Sequence, residues 1–260
     1  MSFQPVPYPL SLQQALAPIT AVGTPSHQGM YSFVTFAETA LGAVAIKRAT
    51  GPQLAALRRE RIVLDALRAS GLPVPECLLY MEDETAQPAT GWLVMPRLPG
   101  QPLLESLRKA EGSSMILRAL RNFGQTVAQL HALAVPPELD GGSATWLETM
   151  LEQAEANLAL GLGEGDRAQL EELKHERPAP VMPTFIHGDL FLDNVLSDGV
   201  EITGLIDWAF GALGDPRYDL ALAMYGISAV QRDAFLEGYG LTKGLSQFET
   251  EYFLKLAIFW

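Results

Sequence analysis

The chain changes character at residues 96–100, where Pro96-Arg97-Leu98-Pro99-Gly100 interrupts the periodic pattern. Before this segment, short apolar runs typical of strands surround a single helical stretch, whereas after it apolar residues recur mainly at helical spacing. Proline and glycine commonly mark the ends of regular elements. We therefore predict an α+β protein of two parts, a small β-rich lobe over residues 1–96 and a larger, mostly helical lobe over residues 97–260.

Regular elements can be placed within each part. In the first, the pattern predicts strands at 31–38, 43–48, 76–81 and 91–96, and Thr50-x-x-Gln53 resembles a capping box that opens a helix ending near residue 69. In the second, it predicts helices at 102–110, 114–134, 145–160, 166–176, 216–225, 229–238 and 246–258, and a β-rich island at 183–208.

Composition restricts the class of partner. The chain has 260 residues, with 18 Lys and Arg against 30 Asp and Glu, for a net charge of −12. A nucleic-acid-binding protein usually has a basic face, and binding to anionic lipid needs basic clusters, so we expect neither partner. We find no signal peptide at the N-terminus and no run of about 18 apolar residues. We expect a cytoplasmic protein with a small-molecule partner.

One motif contains candidate catalytic and metal-binding residues. His187-Gly188-Asp189 is followed five residues after the aspartate by Asn194, and Asp207 follows a second apolar run thirteen residues later. Phosphoryl transfer needs one carboxylate near the attacking hydroxyl, and a second carboxylate with an amide oxygen to hold Mg²⁺. We interpret Asp189 as the catalytic base, and Asn194 and Asp207 as the magnesium ligands.

The motif's other polar residues have simpler interpretations. His187 is expected to hold the loop through backbone hydrogen bonds. Asp193 is either a solvated turn residue or a contact to substrate or metal. A hydrogen-bonded loop with no catalytic role remains the alternative for the whole segment, because Asp and Asn favour turns.

A cation for the non-transferred phosphates is found in the first part. Lys47 ends the apolar run Ala43-Val44-Ala45-Ile46, where an ammonium group needs either solvent or a partner. Glu60, on the following helix, is the candidate partner. A lysine at a strand end is usually only solvated, so the assignment depends on the motif around Asp189.

Together these pieces resemble the aminoglycoside phosphotransferase family, the protein-kinase-like small-molecule kinases, from about residue 20 to 240. The family pattern is also matched by Leu130-His131-Ala132-Leu133 and by the segment from Gly214 to Ala221. The sequence from Asp189 to Val195 is similar to the homoserine-kinase-like branch of the family. The resemblance implies a bilobal protein-kinase-like fold that binds ATP, or GTP, with Mg²⁺. In that fold Asp219 would hydrogen-bond the backbone of the catalytic loop, and Asp215 would cap its helix.

The resemblance also implies where the nucleotide binds. Adenine would contact the Pro96 carbonyl and the Leu98 N–H, because Pro99 has no N–H to donate; the same prolines are equally compatible with a rigid linker. The phosphate loop would be residues 23–30, with Ser26, Gln28 and the Gly29 amide as contacts. This loop has fewer glycines than the loop of a protein kinase.

The acceptor is not specified. Residues 138–177 contain ten acidic and three basic residues, which indicates either an acidic wall for a cationic acceptor or ordinary solvated helix faces. We favour the second interpretation. A catalytically silent kinase-fold protein is the rival function, and the short run from Asp207 to Asp215 disfavours a protein kinase because it leaves no activation segment.

Overall fold

The computed structural model describes residues 8–25, 28–29, 32–109, 113–134, 139 and 145–260. The chain forms two compact units, Met1–Arg61 with Pro75–Arg97, and Ile62–Val74 with Leu98–Trp260. The second unit thus starts one residue after the predicted boundary at 96/97, and it also includes the segment from Ile62 to Val74.

The first unit contains an antiparallel sheet of five strands. The fifth strand in sequence pairs with both the third and the fourth and is buried over nearly its whole length, which explains its continuous apolar run. The strands are β1 (Ala21–Gly23), β2 (Phe33–Thr39), β3 (Gly42–Thr50), β4 (Leu79–Asp83) and β5 (Thr90–Pro96), in the order β1-β2-β3-β5-β4.

Helices α1 (Leu10–Leu16) and α2 (Leu54–Leu67) follow the apolar spacing of their sequences. In α1, Leu12 and Leu16 are fully buried in a cluster with residues of β2, β3 and β5. Helix α2 lies so close to β5 at Gly91 that a Cβ there would be 2.6 Å from a methyl of Leu54. A side chain at this position would require Leu54 to move.

The capping box predicted at Thr50 is wrong. Thr50 is the last residue of β3, where it pairs with Thr90, and its side chain makes no capping hydrogen bond. A 3-10 turn at Gly51–Gln53 follows, so the helix begins only at Leu54. Strand pairing has fixed Thr50 in an extended conformation, and Gly51 then turns the chain with a φ of 57°.

Seven helices lie wholly in the described part of the second unit. They are α3 (Leu103–Lys109), α4 (Ser114–His131), α5 (Trp146–Ala159), α6 (Arg167–His175), α7 (Pro216–Ala223), α8 (Ala229–Tyr239) and α9 (Gln247–Ala257). A capping box opens α5, because the Thr145 side chain accepts from the Glu148 amide and the Glu148 side chain accepts from the Thr145 amide. Apolar residues of α5, α6, α7 and α9 pack into one buried cluster, here called the helical core.

Helices α4 and α8 pack closely through two glycines. A Cβ on Gly124 would be 2.0 Å from the carbonyl oxygen of Phe235, and one on Gly238 would be 1.9 Å from that of Arg121. The two backbones are therefore in direct contact. Their C-terminal residues, His131 and Tyr239, form a hydrogen bond described below.

Five short strands lie in the part of the chain that contains the motif around Asp189. The strands β6 (Gln101–Pro102), β8 (Val195–Ser197) and β9 (Ile202–Leu205) form one sheet in the order β6-β8-β9, and β7 (Thr184–Ile186) pairs with β10 (Ala212–Gly214) in another. Every pairing is antiparallel. Among the residues described, no helix is long and apolar enough to cross a membrane.

Candidate active site

The loop after β7 is held by one buried carboxylate. Asp219, on α7, is 0% exposed and accepts hydrogen bonds from the backbone amides of His187 (2.7 Å, Oδ2) and Gly188 (2.9 Å, Oδ1). The contact expected between Asp219 and the loop backbone is therefore confirmed. Asp215 caps α7 by accepting from the Arg217 amide, with Pro216 at the first position, as predicted.

Gly188 is required for steric reasons. Its φ of 80° lies in the left-handed region, and a Cβ there would be 2.4 Å from the carbonyl oxygen of Phe210. Both observations exclude a side chain at this position. The sequence showed this glycine only as the middle residue of the motif.

His187 links the loop after β7 to the end of β9. Its Nε2 lies 3.0 Å from the Ile206 carbonyl oxygen, and its Nδ1 lies 3.2 Å from the Asp189 amide nitrogen. The carbonyl can only accept and the amide can only donate, so this geometry fits a neutral ring with its proton on Nε2. The structural role predicted for His187 is confirmed.

Asn194 lies directly against Asp189. Its Nδ2 donates to the Asp189 carbonyl oxygen at 2.8 Å and to the carboxylate Oδ2 at 2.9 Å. Its Oδ1 accepts no hydrogen bond from any residue that the structure describes. An amide held in this way offers oxygen rather than nitrogen as the remaining ligand, and oxygen is what Mg²⁺ prefers.

The β8–β9 hairpin brings Asn194 and Asp207 to the same end of a sheet. Val195 pairs with Leu205, and the Asn194 carbonyl accepts from the Ile206 amide at 3.0 Å, so Asp207 is one residue beyond Asn194's partner. Between residues 8 and 260, excluding the undescribed positions, no cluster of three or more His, Cys, Asp or Glu could hold a metal. A carboxylate and an amide oxygen suit an ion that keeps several waters, so these residues fit Mg²⁺.

Asp207 has a strained backbone. With φ 67° and ψ 61°, it is the one non-glycine residue with positive φ in the described chain. Hydrogen bonds fix the backbone just before it, because the Ile206 carbonyl accepts from His187 and the Leu205 carbonyl accepts from the Trp208 indole at 2.9 Å. Such strain persists where the surroundings over-determine the conformation, and it clusters at functional sites.

Two further residues that the sequence reasoning did not assign extend this network. His131 Nε2 lies 3.2 Å from Asp219 Oδ2, and His131 Nδ1 lies 2.8 Å from the Tyr239 hydroxyl. Burial raises the pKa of the Tyr239 phenol, and the charge of Asp219 raises it further, so the hydroxyl keeps its proton. In the neutral imidazole, Tyr239 therefore donates to His131, and His131 donates to Asp219.

In the first unit, Lys47 and Glu60 form a buried ion pair. Lys47 Nζ lies 2.6 Å from Glu60 Oε1, and the two residues are 6% and 3% exposed. Lys47 is placed by β3, where it pairs with Val34 on one side and Leu93 on the other. This is the partnership that the sequence suggested; its role toward phosphate remains a prediction.

The other predicted nucleotide contacts have different outcomes. Pro96 ends β5, and the Leu98 amide donates to no described residue. Ser26 lies outside the described residues, and a Cβ on Gly29 would approach nothing closer than 4.0 Å. Gln28 bonds both backbone groups of Val34, with its side-chain oxygen and nitrogen at 2.7 and 3.0 Å, which differs from the expected phosphate contact.

The acidic residues of α5 and α6 are engaged locally. Glu155 binds Lys174 at 2.8 Å, and Glu172 binds a lysine of α9 at 2.5 Å. Glu148 and Asp166 accept the capping hydrogen bonds at the starts of α5 and α6. These contacts favour solvated helix faces over a wall that binds cations.

Comparison with known proteins gives a consistent result. Residues 27–252 match the model of the phosphotransferase enzyme family. A homoserine kinase of Pseudomonas aeruginosa is 36% identical over 171 residues, covering 62% of this chain and 51% of that protein. A homoserine kinase of Neisseria meningitidis is 29% identical over 174 residues, covering 60% and 55%. The chain thus spans about half the length of the curated relatives it matches.

Solved structures share the fold. An aminoglycoside-3'-phosphotransferase of type VIII superposes with a TM-score of 0.77 at 24% identity, covering 96% of this chain and 97% of that one. An aminoglycoside phosphotransferase of Streptomyces rimosus in complex with ADP and streptomycin gives 0.64 at 22% identity, covering 86% and 90%. These likenesses confirm the α+β, protein-kinase-like fold, and the family match covers most of the sequence. The chain belongs to the phosphotransferase enzyme family.

Proposed function

We propose that this protein is an ATP-dependent phosphotransferase that moves the γ-phosphate to a hydroxyl group of a small molecule. The observation that carries the proposal is the construction of the loop around Asp189. A buried carboxylate, an imidazole and an amide side chain all hold that loop by hydrogen bonds, while Asp189 itself stays partly exposed. Such preorganisation is what phosphoryl transfer asks of a protein.

Asp189 would orient the acceptor and take its proton. The acceptor oxygen attacks the γ-phosphorus, the bond to the β–γ bridging oxygen breaks, and ADP leaves with that electron pair. Asn194 keeps one carboxylate oxygen of Asp189 engaged at 2.9 Å, which orients the group toward the hydroxyl. Because the transition state is loose, the proton moves late and positioning contributes most.

The nucleotide contacts are assigned as follows. Asn194 and Asp207 would hold Mg²⁺, and the ion would supply positive charge to offset the negative charge that develops on the phosphates during transfer. Lys47, oriented by Glu60, would contact non-transferred phosphates, and Ser26 and the Gly29 amide would contact phosphate oxygens. The Pro96 carbonyl and the Leu98 amide would bind the base.

ATP is the expected donor, and GTP is the alternative. A related aminoglycoside 2'-phosphotransferase structure is a GDP complex, with a TM-score of 0.67 at 17% identity, while the Streptomyces rimosus structure holds ADP. Acceptors to be considered are homoserine, from the names of the relatives, and aminoglycosides, from the structures. We place the reaction in the cytoplasm, where ATP and Mg²⁺ are abundant.

A coupled ADP-release assay tests the proposal. The purified chain is incubated with Mg-ATP or Mg-GTP and a panel of homoserine, streptomycin, kanamycin, choline, simple amino alcohols and sugars. We expect Mg²⁺-dependent ADP release with at least one acceptor, and a matching phosphorylated product by mass spectrometry. Mg-ATP binding by calorimetry without turnover of any acceptor would instead support the catalytically silent kinase-fold alternative.

A further inference from the structure

The catalytic segment exposes its residues alternately. Leu190 and Leu192 are 0% and 3% exposed, whereas Asp189 and Phe191 are partly exposed and Asp193 is exposed. Phe191 has an extended backbone, with φ −70° and ψ 153°. Asp189 and Phe191 are two residues apart and both partly exposed, while Leu190 between them is fully buried. Phe191 is therefore a near neighbour of the proposed catalytic carboxylate along the exposed part of the segment.

Phe191 forms an aromatic pair with Tyr225, which follows α7. The ring centroids are 5.9 Å apart and the planes meet at 82°, an edge-to-face arrangement. Tyr225 is 59% exposed, although aromatic side chains have most to gain from burial. The pair thus presents apolar ring surface to solvent beside Asp189.

The other side of Phe191 is fixed. It packs against the helical core formed by α5, α6, α7 and α9. At the start of α7, the charge of Asp189 contributes to raising the pKa of the Tyr218 phenol, after burial, so this helix begins near the catalytic carboxylate. Helix α7 therefore connects the reacting group to the aromatic pair.

The acidic residues of α5 and α6 do not favour a polycation. Glu155 and Glu172 are already paired with lysines, and Glu148 and Asp166 are used in caps. Engaged carboxylates attract a second cation more weakly than unpaired ones. The aromatic pair of Phe191 and Tyr225 is therefore a better candidate for recognising the acceptor than the acidic faces of α5 and α6.

We propose that Phe191 and Tyr225 form the acceptor-binding surface and select an alcohol whose carbon chain next to the reacting hydroxyl is unsubstituted. Methylene groups would pack on the rings and be removed from water, whereas hydroxyls on the same carbons would lose hydrogen bonds without replacement. This inference rests on the proposed kinase function and specifies its acceptor. The surface would favour short alkyl amino alcohols over polyols and amino sugars.

Two matched acceptors test the selectivity, namely 4-amino-1-butanol and 4-aminobutane-1,2,3-triol, which share length and charge and differ in two hydroxyls. We expect wild-type kcat/KM to favour the first by about tenfold or more. Tyr225→Ala should raise KM for 4-amino-1-butanol about tenfold and KM for ATP less than twofold. Tyr225→Phe keeps the ring and should restore most of the lost affinity.

Phe248→Ala is the control, because Phe248 is also a half-exposed ring paired with a tyrosine, Tyr252, on α9. Its kinetic constants should match wild type, and thermal unfolding verifies that every variant is folded. A wild-type preference for the triol overturns the inference, as does a Tyr225→Ala enzyme no different from Phe248→Ala on whichever acceptor the enzyme uses. Absence of turnover with every acceptor in the wider panel would instead overturn the kinase function itself.

Discussion

The two units hold their buried charges in different ways. In the first, the Lys47 ammonium faces the Glu60 carboxylate at 2.6 Å, one side chain against another. In the second, Asp219 is buried against two backbone amides and an imidazole. A side-chain pair orients one flexible group, whereas a carboxylate on backbone amides fixes the course of a whole loop. The first arrangement suits a cation that contacts a ligand, and the second suits a loop that must keep one shape.

This contrast separates binding from chemistry. If it is correct, substitutions in the catalytic loop should stop turnover while nucleotide still binds. Substitutions at the Lys47–Glu60 pair should instead weaken nucleotide binding. Substitutions behind the loop should act through its shape.

Asp189→Asn is expected to give the largest effect on turnover. The amide cannot accept the acceptor's proton as a carboxylate does, so kcat should fall by roughly 10²–10⁴. Nucleotide affinity, measured by calorimetry, should stay close to wild type. Asp233→Asn, an exposed carboxylate on α8, is the control and should be silent. A kcat near the wild-type value for Asp189→Asn would remove it from the chemistry.

Asp207→Ala should abolish Mg²⁺-dependent nucleotide binding. It removes the charged ligand, leaving Asn194 as the one protein oxygen assigned to the ion. Alanine tolerates the left-handed conformation poorly, so Asp207→Asn is the matched variant, retaining that conformation and an oxygen but not the charge. We expect its Mg-ATP affinity to be intermediate. Equal Mg-ATP affinity in wild type and Asp207→Ala would contradict the assignment.

Asp219→Asn tests the network behind the loop. Asparagine would place an NH₂ group against N–H donors from which the carboxylate accepts hydrogen bonds, so buried hydrogen bonds are lost. We expect the free energy of unfolding in urea to fall by about 2–4 kcal/mol, with activity reduced in the fraction still folded. A stable, fully active Asp219→Asn protein would show that the loop keeps its shape without this carboxylate.

Glu60→Gln tests the first unit. Removing the charge 2.6 Å from Lys47 should lower the free energy of unfolding by about 1.5–3 kcal/mol and raise the Kd for ATP. Glu237→Gln is the matched control, because Glu237 pairs with Arg121 at the same 2.6 Å on the surface, and it should change stability far less. An ATP affinity that does not respond to Glu60→Gln would refute the assigned role of the pair.

Tyr239→Phe should have the smallest effect. It removes the hydroxyl that donates to His131 and should lower the unfolding free energy by about 0.5–1.5 kcal/mol. The chain has four histidines, so ¹⁵N spectra can follow the His131 ring directly. We expect the Nδ1 resonance to shift in Tyr239→Phe. An unchanged His131 spectrum would mean that this hydrogen bond does not set the state of the ring.

The order of elements was predictable because local periodicity determines most helices and strands. Contacts that join distant segments were not, and these include the pairing of β7 with β10 and the bond from His131 to Tyr239, 108 residues away. Thr50 shows the same limit, since its local pattern indicated a cap while pairing with Thr90 kept it in a strand.

The sequence indicated that Asp189, Asn194 and Asp207 belong to one site, and the structure joins Asn194 to Asp189 by a hydrogen bond and brings Asn194 and Asp207 to one end of a hairpin, while the role of each residue stays a prediction. The supports of this site were harder to identify. The need for glycine at position 188 comes from Phe210, 22 residues later, and no local pattern reveals it. The Leu130-His131 segment was visible as a matching piece, but its function depends on α4 and α8 packing through glycines. Steric fit between distant segments cannot be predicted from the residue spacing within either segment.

The left-handed backbone of Asp207 limits how this position can change. A metal ligand alone would allow Glu as well as Asp, and a left-handed conformation alone would allow Gly. The short side chains of Asp and Asn combine an oxygen ligand with tolerance for φ near 67°. Glu would keep the charge, but its side chain is longer than that of Asp and it tolerates the left-handed conformation poorly. For the proposed role of Asp207 as a metal ligand, position 207 therefore offers few single-residue routes to a different metal preference, and engineering one would have to begin with the hairpin that imposes the turn.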